Sequence, residues 1–186
     1  MRLAIVIALL AISSGLSAHE LQADRLTIVQ RAPNHFSLTF LIDESTLLRR
    51  TLSPQATEEE FILSLAAMPE DRFSALVKQA RSRFESELSI VSTDNRKMTL
   101  AAWSWPKPSR LQSEARTRAA QLIVGDAAHV HHQAAEIRVD AVSVAPIQRI
   151  QLKLPVALPE LNVVSYRPVE QRYRQDQRRD LSVDFR

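Results

Sequence analysis

Glycine is nearly missing from this chain. Its 186 residues include two, Gly15 and Gly125, where an average usage of about 7% would supply roughly a dozen. Phosphate-cradling loops and nucleophile elbows need backbone without a Cβ. Dinucleotide-binding folds, P-loop NTPases and α/β-hydrolases are therefore disfavoured. Cysteine is absent altogether, which removes thiol catalysis, disulfide frameworks and Cys-based zinc sites.

Long apolar runs are also scarce, with one exception at the start. Met1-Arg2 carries one positive charge, residues 3–12 are continuously apolar, and Ser13-Ser14-Gly15-Leu16-Ser17-Ala18 supplies small residues. That order predicts a secretory signal peptide over 1–18, cut after Ser17 or Ala18. Ten apolar residues are too few to span a bilayer core, which takes about 20. No later segment is long and apolar enough to be read as a transmembrane helix. The expected destination is the periplasm.

Charge of one sign is missing too. There are 24 Lys+Arg against 21 Asp+Glu, and removal of 1–18 takes one Arg, leaving net +2. The isoelectric point near 9.7 reflects an excess of Arg, 20 of the 24 basic residues. With acids interleaved and no basic block longer than two residues, nucleic acid is not expected as a partner. An anionic membrane surface remains open as a weak attraction.

What is present reads as one α+β domain over 19–167, followed by a polar tail over 168–186. Residues 21–31 and the alternating Phe36, Leu38, Phe40 and Ile42 predict a hairpin turning at Pro33-Asn34. Thr57 before Glu58-Glu59-Glu60 predicts a helix start. Pro69 opens a second helix, with Phe73, Leu76, Val77, Ala80 and Phe84 forming one stripe. Residues 88–92 and 98–105 flank Thr93-Asp94-Asn95-Arg96, an expected hairpin turn with Asn95 left-handed. In its second strand Met98, Leu100 and Ala102 share one face, and Trp103 and Trp105 the other. Ser109 is the expected cap of a third helix ending at Gly125. Strand-like runs follow at 136–144, 147–154 and 161–166, and Leu181, Val183 and Phe185 alternate in a terminal one. The sum is a mainly antiparallel β-sheet or sandwich of about seven or eight strands, with two or three inserted helices.

Histidine carries the clearest chemistry. His129, His131 and His132 lie within four positions, and on extended backbone His129 and His131 project to one side. Two such imidazoles suit copper, nickel or zinc, with Asp126 and Glu136 as oxygen donors. His19 is the second candidate: a cut after Ala18 makes it the N-terminal residue, so amine and imidazole chelate one copper ion together. His35, on the outward face of its strand, is expected to be solvated.

A leader ending at Ala18, then His19-Glu20 and strands over 21–31 and 35–43, resembles the exported N-terminal part of HupE/UreJ-type permease proteins. The resemblance covers roughly the first 45 residues. It implies an association with nickel or cobalt uptake, and His19 as a metal contact. This sequence departs from that pattern in having no membrane helices after the leader.

Hydrolase signals are thinner. Ser92-Thr93-Asp94-Asn95 includes a fragment like the Ser-Asp-Asn element of penicillin-recognising enzymes, but neither Ser-x-x-Lys nor Lys-Thr-Gly accompanies it. Trp103 and Trp105 on one strand face suggest a sugar-stacking or partner-binding patch, or core packing. The leading expectation is an exported periplasmic binding module without catalytic residues, taking a transition metal through histidines. The alternative is an interaction protein of an envelope complex that offers its C-terminal strand to a partner; a hydrolase with scattered carboxylates ranks lower.

Overall fold

The computed structural model describes residues 24–125 and 134–168. Within them, β1 (Arg25–Ala32) and β2 (His35–Asp43) form the expected hairpin. Pro33 and Asn34 make its turn. The alternation in β2 is realised, with Phe36, Leu38, Phe40 and Ile42 all buried. Four helices then follow or interrupt the strands: α1 (Glu44–Leu52), α2 (Glu58–Ala67), α3 (Glu70–Glu87) and α4 (Pro108–Val124). Between α3 and α4 lie β3 (Ser89–Ser92) and β4 (Thr99–Ser104); β5 (Ala134–Val142), β6 (Ile150–Lys153) and β7 (Asn162–Tyr166) complete the described chain.

The strands make a five-stranded sheet in the order β4-β5-β2-β1-β7 and a two-stranded sheet of β3 and β6. Every pairing is antiparallel except β1 with β7, which is parallel. The class is thus α+β with a mainly antiparallel sheet. Among the described residues the helices number four, against the two or three expected. The unexpected one is α1, where Asp43 ends β2 and caps the helix by accepting from Thr46 N at 2.8 Å.

Two cores share the long helix α3. The first lies on the inner face of the large sheet, where Leu38, Phe40, Ile137 and Val139 meet Phe84 of α3 and Ile90 of β3. The second lies among the helices, where Leu48, Phe61, Leu65, Phe73, Val77 and Leu111 pack together. The predicted stripe of α3 therefore divides: Phe73 and Val77 serve the helical core, Phe84 the sheet. Among the described residues no helix is long and apolar enough to cross a membrane.

Two local readings are corrected. The turn after β3 forms, with Ser92 N donating to Arg96 O at 2.9 Å and Asn95 at φ 62°. Beyond the bridge between Val91 and Lys97, however, the arms part, β3 to β6 and β4 to β5. In β4, Ala102 takes φ 53° and the register with β5 slips between Ala101 and Ser104. One extra residue in a strand exchanges its faces. Trp103 and Trp105 consequently join Met98 and Leu100 on the core side. A third correction concerns α4: Lys107 is its N-cap and Pro108 its first residue, not a cap at Ser109. Gly125 ends it at φ 77°, as expected.

Candidate functional site

Local capping builds the entrance to the helical layer. Thr57 and Glu60 form a capping box at the start of α2, each side chain accepting from the other's backbone N–H. Glu58, in that first turn, is brought opposite α4. Arg118 of α4 donates to Glu58 Oε1 at 2.6 Å, approaches Asp43 Oδ2 at 3.4 Å and also donates to Ser45 Oγ. Gln112 of α4 donates to Met68 O at 2.7 Å, fixing the same helix to the end of α2.

Between these helices lies a cavity of about 240 Å³. Leu48, Leu65, Phe73 and Leu111 give it an apolar wall, while Glu44, Ser45, Glu114 and Arg118 line it with polar groups. Glu44 is 9% exposed, and its Oε2 finds no hydrogen-bond partner among the described residues. Burial pushes its carboxyl up to about 8, the negative Glu114 adds to the rise, and Arg81 and Arg110 oppose it. At neutral pH, Glu44 is therefore mostly a protonated acid facing an apolar cleft.

Three of these polar residues, Glu44, Glu114 and Arg118, escaped the sequence reading. A signal for Arg118 exists: Leu111, Ala115 and Ala119 make a buried helical stripe, and Arg118 falls within its arc and is itself buried. A charge in such a stripe needs partners. Glu44 was hidden with its helix, although Asp43, Glu44 and the closing Arg49-Arg50 are ordinary end signals.

The candidate metal ligands His19, His129, His131 and His132 lie outside the described residues, as do Asp126 and the alternating 181–185. Glu136 is described, and its carboxylate is taken by Arg138. Among the described residues no group of three or more His, Asp or Glu side chains is placed to hold a metal ion.

His35 is part-exposed and lies beside a carboxylate without a hydrogen bond to it. Its Nε2 lies 3.4 Å from Asp140 Oδ2 on the outer face of the sheet, and Ser37 Oγ donates to Asp140 Oδ1 at 2.8 Å. These are the residue types of a serine hydrolase in the wrong order. The hydroxyl proton points at a carboxylate, so no imidazole activates Ser37 as a nucleophile.

The tryptophans are likewise engaged. Trp103 and Trp105 stack at 6.1 Å and 19°, and both meet Phe84 edge-on. Trp105 Nε1 donates to Glu85 Oε1 at 2.8 Å, and the Arg81 guanidinium lies over its ring at 5.5 Å. Core packing accounts for the pair. Ser92 serves its turn, donating to Asp94 Oδ1 at 2.6 Å and accepting from Arg96 N. No family model, curated protein or solved structure matches this chain.

Proposed function

We propose that the chain is an exported binding module whose helical layer holds a small, largely apolar molecule. The observation that carries this reading is the cleft of about 240 Å³ walled by Leu48, Leu65, Phe73 and Leu111, with a few convergent polar groups. Apolar walls with sparse, placed polar groups are the usual make-up of a ligand site. Since a cavity of ~150 Å³ holds benzene, this one has room for about ten non-hydrogen atoms. The leader over 1–18 supports export to the periplasm. His19 and the 129–132 cluster support, on spacing alone, copper, nickel or zinc as a separate ligand, in keeping with the permease resemblance.

Ligand-observed NMR with toluene and benzyl alcohol tests the cleft. Saturable binding is expected, and Ala115→Phe, which places a ring in the cavity, should abolish it while circular dichroism stays unchanged. Absence of saturable binding to the native chain overturns the reading.

A further inference from the structure

We propose that the cleft selects a small organic monocation, a primary ammonium on an apolar body, with Glu44 as the group that receives the charge. This rests on the reading that the cleft binds a small molecule, and it adds the ligand's class. The first support is the unused polar atom. Glu44 lines the cavity, and its buried Oε2 has no hydrogen-bond partner among the described residues. Such atoms are few in native proteins and call for an explanation, commonly a missing ligand or water.

The second support is the charge arrangement. Facing Glu44 are Glu114 and Arg110 from α4, Arg81 from α3 and Asp43 from the end of β2. Each nearby guanidinium already serves another acceptor. Arg110 is held by Glu114 at 2.7 Å, and Arg118 by Glu58 and Asp43. Arg81 donates to Pro106 O, covers Trp105 and divides its charge between Glu44 and Glu85. An ionised Glu44 therefore adds a negative charge that the surrounding cations do not match.

A ligand cation supplies that match, and a primary ammonium brings three donors for the Glu44 and Glu114 oxygens. Its apolar body meets Leu48, Leu65, Phe73 and Leu111. An anion would face the Glu114 carboxylate, and a second one once Glu44 ionises, while Arg118 is already held by Glu58 and Asp43. A divalent metal is the poorer fit, since among the described residues no group of three or more His, Asp or Glu side chains is placed to hold one.

Binding by this route releases one proton from Glu44 to solvent. Affinity for the cation should then rise about tenfold per pH unit up to about pH 8 and level off above it, because the carboxyl is raised to about 8 in the empty cleft.

The experiment compares benzylamine, benzyl alcohol, toluene and benzoate by calorimetry on the full chain between pH 6 and 9. The expected result is that benzylamine at pH 8.5 binds at least tenfold more tightly than benzyl alcohol. Its advantage should shrink toward pH 6 and vanish in Glu44→Gln, which still binds benzyl alcohol. If the neutral probes bind and benzylamine does no better, or benzoate does best, the monocation is wrong and the cleft reading stands. If none of the four binds, both fall. Should Glu44→Gln fail to fold, the native pH profile decides: a benzylamine affinity flat from pH 6 to 8 overturns the proposal.

Discussion

Arg118 joins two distant turns of the chain, holding Glu58 at 2.6 Å and Asp43 at 3.4 Å with a side chain that is 11% exposed. The first turn of α2 and the end of β2 are thereby fixed against α4. A charge so deeply placed is stabilised only by its partners.

Arg118→Ala should therefore cost more than a surface ion pair. Removing the guanidinium leaves Asp43 half-buried and Glu58 without its cation, and a loss of about 3 kcal/mol is expected. Arg118→Lys should recover only part of it, because an ammonium cannot reproduce the planar fork. Urea unfolding of the three proteins measures both values.

Glu44 gives stability a particular pH dependence. Its carboxyl titrates near 8 in the folded protein and near 4.5 in the unfolded chain. Between those values the folded state keeps a proton that the unfolded state has lost, so this group's contribution falls as pH rises. The slope reaches at most about 1.4 kcal/mol per pH unit, and flattens above about pH 8 where both states are ionised. Glu44→Gln should remove that decline. Denaturation midpoints at pH 5, 6.5 and 8 test it, and equal slopes for native and variant chains would contradict it.

At the β4 bulge, Ala102 holds φ 53° with an exposed side chain. A Cβ is unfavourable in that region by roughly 1 kcal/mol. Ala102→Gly should accordingly raise stability by up to about 1 kcal/mol, and Ala102→Val should lower it. Thermal melts give the sign, and an unchanged tryptophan spectrum in the glycine variant shows that the bulge is kept.

Much of the sheet was legible because its signals are local. The period-two row in β2 names its own buried face, Thr57 and Glu60 sit at capping-box spacing, and Gly125 stands where a helix needs a left-handed residue. What escaped depends on pairing across the chain. The turn at 93–96 looks like any hairpin, yet Ile90 is drawn to β6 and Leu100 to β5. Nothing in 98–105 marks Ala102 as the residue that exchanges the faces, so alternation alone puts the two tryptophans opposite Met98 and Leu100. The cleft is less legible still. Glu44 and Glu114 are 70 positions apart, and each alone reads as an ordinary helix acid.

Phe84 should be the most costly single truncation in the sheet core. It is 2% exposed and meets Phe40, Trp103 and Trp105 edge-on at 5.3–6.3 Å. Phe84→Ala should cost about 3–5 kcal/mol. Because both indoles of the chain lean on this ring, near-ultraviolet circular dichroism should change sharply, and Phe84→Leu should retain most of the stability and the signal.

The strand order also bears on how the protein is made. β2 pairs with β1 at once through a tight turn, but its other neighbour is β5, with Leu38 opposite Val139. All four helices, together with β3 and β4, are synthesised between those partners. Contacts so far apart in sequence form late. During that interval the row Phe36, Leu38, Phe40 and Ile42 has only one flanking strand, and a lone two-stranded hairpin is marginal in water. While residues 44–133 are emerging, the hairpin therefore leaves that apolar row incompletely covered, a condition that favours aggregation.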